Sequence, residues 1–185
     1  MHEMFDFFVD FQIEAARKAV EEANIDFATI WEDMAYRTGP QISPKAFEEF
    51  MLPRYKRVTA FLRKNGIDII MVDSDGDIGP LVPLFLEGGV NCLYPLEVQA
   101  GMNWVELRKR FGKKFRAIGN IDKMALINGL DAIEKEVDAK LSMAMDVGYI
   151  PSIDQAVPAD VPFQNYVYYV KLLKKKPRYI TNWRS

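Results

Sequence analysis

Hydrophobic positions along the chain follow two different patterns. From about Phe5 to Ala23, apolar side chains recur near every 3.6 residues, which predicts a helix with one apolar side. Short, nearly continuous apolar runs then alternate with further helical segments. These runs predict strands at residues 27–31, 67–72, 90–96, 115–118 and 149–153. Because the runs are apolar on both faces, they are typical of a parallel sheet covered by helices, so we expect an α/β fold.

Turn and capping residues set the expected helix boundaries. Ser43, followed by proline, is expected to cap a helix that ends at Gly66. Pro53 lies inside that helix, where it predicts a kink or two abutting helices. Asp131 is expected to cap a helix that runs to about Met145. Further helices are expected at 81–86, 104–111 and 165–175.

Each predicted strand is followed by an acidic or amide side chain. These residues are Glu32, Asp33, Asp73, Asp75, Glu97, Asn120, Asp122 and Asp154. The carboxyl ends of the strands in a (β/α)8 barrel converge on one mouth, where chemistry takes place. No Gly-x-Gly-x-x-Gly motif or phosphate loop follows a strand, which argues against an open nucleotide-binding fold. We therefore expect a partial (β/α)8 barrel of about five strand–helix units, three strands short of the full count.

Composition restricts the class of protein. The chain has 185 residues, of which 49% are hydrophobic and 27% are charged, and this is enough for one domain with a core. The net charge of −2 provides no overall basic field for nucleic acid. The single cysteine, Cys92, excludes an internal disulfide and a cysteine-cluster metal site. No apolar run reaches the roughly 18 residues that span a bilayer, and the acidic N-terminus lacks a signal peptide's basic region. We expect a cytoplasmic protein without nucleic-acid or membrane partners.

The predicted mouth contains oxygen ligands only. Asp73, Asp75 and Asp77 lie within five residues of one another, and Asp33 and Asp154 follow other strands. Carboxylates that share a cleft repel one another, so some must take up a proton, bind a cation or face an amine. A hard divalent cation such as Mg²⁺ is compatible with these ligands. A calcium loop is not expected, because Leu84 stands where such a loop ends in glutamate.

Each of these residues also has a structural interpretation. The aspartates after residue 72 could be ordinary loop residues that cap the next helix, and Asp122 could cap a helix beginning at Lys123. Glu32 and Glu97 could be solvated loop residues. Trp31 could line the mouth or pack in the core.

Three further groups are expected to take no part in chemistry. Cys92 is expected to be a core residue and His2 to be inert. Lys174–Lys176 and Arg178 form a basic run that we expect to be a solvated tail.

Several short segments together resemble a known family. They are Trp31–Met34, Gly39–Pro44, Leu52–Arg54, Asp73–Ile78, Pro95–Glu97, Gly119–Asp122, Gly148–Pro151, Pro158–Pro162 and Asn165. In this order they resemble the C-terminal half of the uroporphyrinogen decarboxylase superfamily, which also contains corrinoid-linked methyltransferases acting on coenzyme M. The resemblance implies a (β/α)8 barrel in which this chain supplies the last five strands.

The resemblance also implies differences at the functional positions. Where the methyltransferases have a His-x-Cys zinc pair, this chain has Asp73 and Asp75, and Asp154 aligns with their third ligand, a cysteine. Where the decarboxylases have a histidine in the last of these loops, this chain has Gln155. A zinc–thiolate site is therefore not expected. In the decarboxylases an acidic group meets pyrrole nitrogens, which is compatible with an aspartate here.

The residues and the resemblance together lead to two hypotheses for the function of this chain, one enzymatic and one non-catalytic. The first is a decarboxylase (lyase) or corrinoid-linked methyltransferase acting on a tetrapyrrole or other small molecule. Its predicted catalytic residues are Asp75, Asp73 and Asp154. Its predicted substrate-binding residues are Asp33, Trp31, Asp77, Glu97, Asn120, Asp122 and Gln155. The second is a non-catalytic half-barrel, formed by residues 1–185 as one domain, that completes itself as a homodimer or with a separate N-terminal half.

Overall fold

The computed structural model of the chain describes residues 1–142 and 148–176. The predicted helix end at Met145 and the basic residue Arg178 lie outside these ranges. Seven strands are present in the described part: β1 (Phe27–Trp31), β2 (Ala35–Tyr36), β3 (Gly39–Pro40), β4 (Ile69–Asp73), β5 (Cys92–Tyr94), β6 (Arg116–Ile121) and β7 (Tyr149–Ile153).

Eight α-helices are present in the same part of the chain. They are α1 (His2–Glu22), α2 (Pro44–Ala46), α3 (Leu52–Lys64), α4 (Val82–Glu87), α5 (Trp104–Phe111), α6 (Lys123–Asn128), α7 (Leu130–Ser142) and α8 (Phe163–Lys175). A π-helical turn at Phe47–Met51 joins α2 to α3. Single 3₁₀ turns lie at Gly79–Leu81, Val98–Ala100 and Gly112–Lys114. None of the described helices is long and apolar enough to cross a membrane.

The main sheet has five parallel strands in the order β1-β4-β5-β6-β7. The expected α/β fold with a parallel sheet is thus confirmed. Each strand pairs with the next long strand of the chain, so the order does not reverse as it does in a doubly wound sheet. The remaining strands, β2 and β3, form a small antiparallel hairpin after β1.

One face of the sheet carries the core. Ile70, Val72 and Leu93 are fully buried on this face, in one cluster with helix residues such as Phe85 and Trp104. One residue of each strand pairs in register with its neighbour across the whole sheet. In strand order these residues are Ile30, Val72, Leu93, Ala117 and Tyr149. Strand residues one position away point to the opposite face. The helices of the described part therefore pack on this one side of the sheet.

Part of the opposite face of the sheet is open. Phe27, Trp31, Ile69 and Ile150 are large apolar residues on that face, and all four are exposed. Parallel sheets are normally covered on both faces, so this sheet presents an apolar surface that the described residues leave uncovered. We call these four residues the open face.

Helix α1 packs against α3 through charged groups. The buried guanidinium group of Arg54 donates to Asp6 at 2.6 Å, and Arg57 donates to the same carboxylate at 3.0 Å. Arg54 also contacts the Nδ1 atom of His2 at 3.2 Å, so the terminal histidine has a structural partner on α3. The aromatic side chains of Phe7, Phe8 and Phe11 lie on the part of α1 that faces outward.

The helix boundaries confirm some capping predictions and correct one. The Ser43 hydroxyl accepts the Ala46 N–H at 3.1 Å, as expected of an N-cap. Two abutting helices around Pro53 are confirmed, since the π-helical turn separates α2 from α3. The cap predicted at Asp131 is wrong: α7 begins at Leu130, which places Asp131 inside the first turn. Its negative charge still lies at the positive end of the helix dipole.

Candidate active site at the carboxyl edge of the sheet

The carboxyl ends of the five strands lie along one edge of the sheet. At β1, the N–H groups of Glu32 and Asp33 donate to the Asp73 carbonyl at 2.9 and 3.4 Å. At β4, the Ser74 N–H donates to the Tyr94 carbonyl at 3.0 Å. The residues Trp31, Asp73 and Tyr94 pair across β1, β4 and β5, so their side chains share one face of the sheet.

Three aspartates and a tyrosine at this edge influence one another electrostatically. We call Asp33, Asp73, Asp75 and Tyr94 the acidic cluster. The pKa of Asp73 is raised, first by burial and then by the negative charges of Asp75 and Asp33. The pKa of Tyr94 is also raised, by burial and then by Asp73 and Asp75. Predicted site residues from two different loops are therefore brought together here, together with a tyrosine that the sequence analysis missed.

The position of Tyr94 could have been found from its place in the pattern. It ends the β5 strand just as Asp73 ends β4, and the two residues are cross-strand partners. The sequence analysis selected only acidic and amide residues after strands, and it expected the strand to continue to Leu96. Because the strand ends at Tyr94, the phenol lies at the edge rather than within the sheet.

The hairpin formed by β2 and β3 packs against the loop that follows β4. The Met34 N–H donates to the Ser74 hydroxyl at 3.1 Å, and the Asp77 N–H donates to the Tyr36 carbonyl at 2.9 Å. Gly76 has a φ of 75°, and a Cβ atom there would lie 2.6 Å from the Tyr36 carbonyl oxygen. Glycine is therefore required at this contact. The hairpin fixes the loop that carries Asp75.

Asp77 has a local structural partner. Its carboxylate accepts the Gly79 N–H at 2.9 Å, ahead of the 3₁₀ turn at Gly79–Leu81. This matches the interpretation of a loop residue that caps the following turn. Its predicted role in binding substrate stays a prediction.

Glu97 forms an ion pair next to the acidic cluster. Its carboxylate accepts Lys123 Nζ at 3.0 Å, and it accepts the Gly76 N–H at 3.2 Å. Both charged side chains are largely buried, so Glu97 is not the solvated loop residue that the structural interpretation expected. Lys123 is a cation at the carboxyl edge that the sequence analysis considered only as the start of a helix.

Asp154 is fully buried and lies outside the acidic cluster. One carboxylate oxygen accepts the Val98 N–H at 2.8 Å and the other accepts the Lys123 N–H at 3.0 Å. Burial raises the pKa of Asp154, and these two N–H groups oppose the increase. With both oxygens engaged, Asp154 has the geometry of a residue that joins two loops rather than of an acid or base.

Asn120 has no free hydrogen-bonding capacity. Its side-chain oxygen accepts the Trp104 N–H at 3.1 Å and Lys140 Nζ at 2.8 Å. Its side-chain nitrogen donates to the carbonyls of Leu96 and Met102 at 2.7 and 2.8 Å. The amide of Asn120 is buried and used entirely by the protein. Its predicted substrate-binding role stays a prediction.

Asp122 and Gln155 also have local partners. Asp122 accepts the Met124 N–H at 2.9 Å and caps α6, as its structural interpretation expected. Its other oxygen accepts Gln99 Nε2 at 2.9 Å. The Gln155 side chain accepts the N–H of Ala156 at 2.8 Å. The binding roles of Asp122 and Gln155 stay predictions.

The end of β1 contributes one exposed and one buried side chain. Trp31 is 78% exposed, so the packing interpretation is wrong and the tryptophan is available at the edge. Glu32 is not solvated: its carboxylate accepts the Tyr55 hydroxyl at 2.5 Å, and burial raises the pKa of Glu32. Cys92 is buried, and burial raises the pKa of its thiol to about 12, which confirms it as a core residue.

The geometry of the carboxyl edge does not form a metal centre. In residues 1–142 and 148–176, no three His, Cys, Asp or Glu side chains are arranged to hold a metal ion. The hard divalent cation considered from the sequence thus has no ligand set in the described chain.

Comparisons with known proteins agree with the fold and the family resemblance. The family model described as "Uroporphyrinogen decarboxylase (URO-D)" matches residues 1–176. A chloroplastic uroporphyrinogen decarboxylase of Zea mays is 23% identical over 134 residues, covering 72% of this chain and 33% of the relative. A uroporphyrinogen decarboxylase of Campylobacter lari is 22% identical over 171 residues, covering 92% of this chain and 45% of the relative. The chain thus spans between a third and a half of the length of these relatives.

A solved structure shares the fold. The structure of a methyltransferase from Methanosarcina mazei matches this chain with a TM-score of 0.61 and 20% sequence identity. The match covers 89% of this chain. The match extends over 48% of the methyltransferase chain. At this level of identity, the likeness concerns the fold alone.

Proposed function

This chain belongs to the uroporphyrinogen decarboxylase family, and on that basis we propose that its carboxyl edge is part of an active site of the decarboxylase type. The proposed substrate is a tetrapyrrole or a related small molecule that carries N–H groups. The observation that carries the proposal is the acidic cluster, in which burial and the charges of Asp75 and Asp33 raise the pKa of Asp73 at the strand ends. The Zea mays and Campylobacter lari relatives of this chain are uroporphyrinogen decarboxylases, which supports this choice of substrate.

The acidic cluster has two chemical capacities that suit this substrate class. An ionised carboxylate accepts a hydrogen bond from a pyrrole N–H, and we assign this role to Asp75. A carboxyl group of raised pKa keeps its proton to a higher pH than an ordinary aspartate, which suits a general acid. We assign that role to Asp73, which would protonate the substrate carbon after carbon dioxide has left.

A partial (β/α)8 barrel is the architecture that we propose around this site. The unreversed strand order supports it, because consecutive strands are neighbours in a barrel. The open face supports it too, since the interior of a barrel is filled by side chains from all its strands. The remaining strands and part of the site would come from outside the 185 residues. A cytoplasmic location stays a prediction.

A decarboxylation assay tests the proposed activity. The chain is incubated with uroporphyrinogen, and the products are separated by chromatography according to the number of carboxylates that remain. We expect Asp75→Asn to lower the rate by at least about a hundredfold, in the range typical of a lost acid–base or charge-stabilising group. Asp68→Asn is the matched control, because Asp68 lies just before β4, at the opposite edge of the sheet. Equal rates for Asp75→Asn and the wild type would contradict the proposal.

Methyl transfer is a second activity within the same family. It is favoured by the methyltransferase whose fold this chain shares. The positions of a zinc–thiolate site hold Asp73, Asp75 and Asp154 here, and this argues against that version of the chemistry. A methyl-transfer assay with the same variants separates the two activities.

A non-catalytic role is the second candidate function. The uncovered outer edge of β1 and the open face favour it, because such surfaces associate with another chain when nothing else covers them. In this alternative, a second copy or a separate N-terminal half completes the barrel. Absence of turnover in the wild-type chain, together with stable association, would favour this role over the enzymatic one.

A further inference from the structure

A cavity of about 490 Å³ lies at the opposite edge of the sheet from the acidic cluster. We call it the amino-edge groove, because the strands β5 and β6 begin there. It lies between the end of α3, the α4–β5 connection and the α5–β6 connection. Its lining residues are Arg63, Leu86, Val90, Asn91, Phe111, Lys113, Lys114, Phe115 and Arg116. No residue of this groove belongs to the candidate active site.

The amino-edge groove has a strongly positive lining. Four of its residues are cationic and, among the described residues that line it, none is acidic. Arg63, Lys114 and Arg116 form no ion pair within the described part of the chain. Residues 108–116 contain six basic residues and no acidic one, although the whole chain has a net charge of −2. Positive charge is thus concentrated at this edge, where it attracts anions.

One of the cations is anchored by a hydrogen bond, and a second is half-buried. The Arg63 guanidinium donates to the Gly89 carbonyl, and a Cβ atom at position 89 would lie 2.7 Å from its Nη1 atom. Gly89 has a φ of 97°, so the turn also needs glycine for its backbone conformation. Arg116 is half-buried at the start of β6, where it pairs in register with Cys92. An anchored guanidinium group such as that of Arg63 loses less freedom when it binds an anion.

The groove also has an apolar wall and the size of a ligand site. Leu86, Val90, Phe111 and Phe115 provide apolar surface beside the cations. Pockets for small molecules have volumes of about 300–1,000 Å³ and combine apolar walls with a few polar groups. We infer that the amino-edge groove binds a small multivalent anion, carrying phosphate or carboxylate groups on an apolar body. Guanidinium groups bind both kinds of group through paired hydrogen bonds.

Calorimetric titration with two probes tests this inference. Pyrophosphate represents phosphate ligands and tricarballylate represents carboxylate ligands, each titrated into the whole chain at low salt. We expect saturable one-to-one binding of at least one probe that weakens as sodium chloride is added. Lys114→Gln and Arg116→Gln should each weaken it by about tenfold, as expected for the loss of a charge-assisted contact. The probe that binds more tightly identifies the chemical group that the groove recognises.

A matched variant separates the groove from the general charge of the segment. Lys109→Gln removes one charge from an exposed residue of the same basic segment that does not line the cavity, and it should change the affinity by less than about twofold. Lys114 is exposed, so its substitution leaves the fold intact, which circular dichroism verifies. Absence of saturable binding of both probes would overturn the inference. Equal weakening by Lys109→Gln and Lys114→Gln would overturn it as well.

Discussion

Carboxylates at the carboxyl edge divide into those bound to backbone N–H groups and those that face other carboxylates. Asp77, Asp122 and Asp154 belong to the first kind, and each is satisfied by protein donors. Asp33, Asp73 and Asp75 belong to the second kind. The first group fixes the loops, and the second group carries the proposed function.

The same division shows how far the site can be predicted from sequence. The strand-end positions of Asp33, Asp73 and Asp75 follow from chain order alone, since parallel strands end at one edge. The four hydrogen bonds of Asn120 could not be predicted, because their partners lie 16 to 24 residues away in the chain. The same is true of the burial of Asp154, whose partner Val98 is 56 residues away.

Asp154 is expected to contribute to stability. Asp154→Ala leaves the buried N–H groups of Val98 and Lys123 without acceptors, which should lower the free energy of unfolding by about 3 kcal/mol. Asp154→Asn keeps one acceptor oxygen and should lower the free energy of unfolding by a smaller amount. Urea unfolding followed by circular dichroism measures both. A loss below about 1 kcal/mol for the alanine variant would contradict the structural role of Asp154.

Asp73 and Asp6 should affect the pH dependence of stability with opposite signs. Burial, Asp75 and Asp33 raise the pKa of Asp73 in the folded state. The contribution of Asp73 to folding stability is therefore present at low pH and is lost as the pH rises through the folded pKa. The Arg54 hydrogen bond lowers the pKa of folded Asp6, so its contribution is present at neutral pH and is lost as the pH falls.

Unfolding measured between pH 3 and pH 8 tests this pair. Relative to the wild type, Asp73→Asn should become more stable as the pH rises, because the variant lacks the charge repulsion. Asp6→Asn should become less stable over the same range. If the stability of both variants, relative to the wild type, changed in the same direction as the pH rises, the electrostatic description of the acidic cluster would be contradicted.

At the level of elements, periodicity predicted the long segments and missed the short ones. The bounds of β1, α5 and β7 agree with the apolar runs and turn signals of the sequence. The hairpin of β2 and β3 was missed, because strands of two residues are too short to show an alternating pattern. This hairpin is the element that holds the loop of Asp75, so a local pattern too weak to detect has a direct effect on the site.

Capping of α5 gives a test at this scale. The Asn103 side chain accepts the N–H groups of Val105 and Glu106, at 3.0 and 3.4 Å. Asn103→Ala should therefore lower the free energy of unfolding by about 1 kcal/mol, whereas Asn103→Asp should cost little because aspartate caps equally well. Chemical unfolding of the two variants gives the comparison. Equal losses for both variants would show that the cap does not stabilise α5.

For the whole molecule, the main physical feature is a sheet that is covered on one face and partly exposed on the other. The helices pack on the Ile70 and Val72 side, and the open face is exposed. Chain order predicted a parallel sheet, as the structure shows. Sequence could not predict the exposure of the open face, because the strand residues on that face are as apolar as those on the covered face.

The open face should make the isolated chain associate. Phe27→Lys and Ile69→Lys place charges on this apolar surface and should shift the mass in solution towards the 21.3 kDa monomer. Val157→Lys is the control, since Val157 is an exposed apolar residue in a loop outside the sheet. Size-exclusion chromatography with light scattering gives the masses. A stable wild-type monomer would contradict self-association through the open face.

The central claim is that the carboxyl edge binds the substrate through the acidic cluster, and a fluorescence titration with uroporphyrin tests it most directly. Exposed Trp31 next to the cluster provides the signal, through quenching of its emission. We expect saturable binding to the wild type and to Asp68→Asn. Asp75→Asn should bind at least about tenfold more weakly, a loss of about 1.4 kcal/mol. Unchanged affinity in Asp75→Asn, or an equal loss in Asp68→Asn, would contradict the claim.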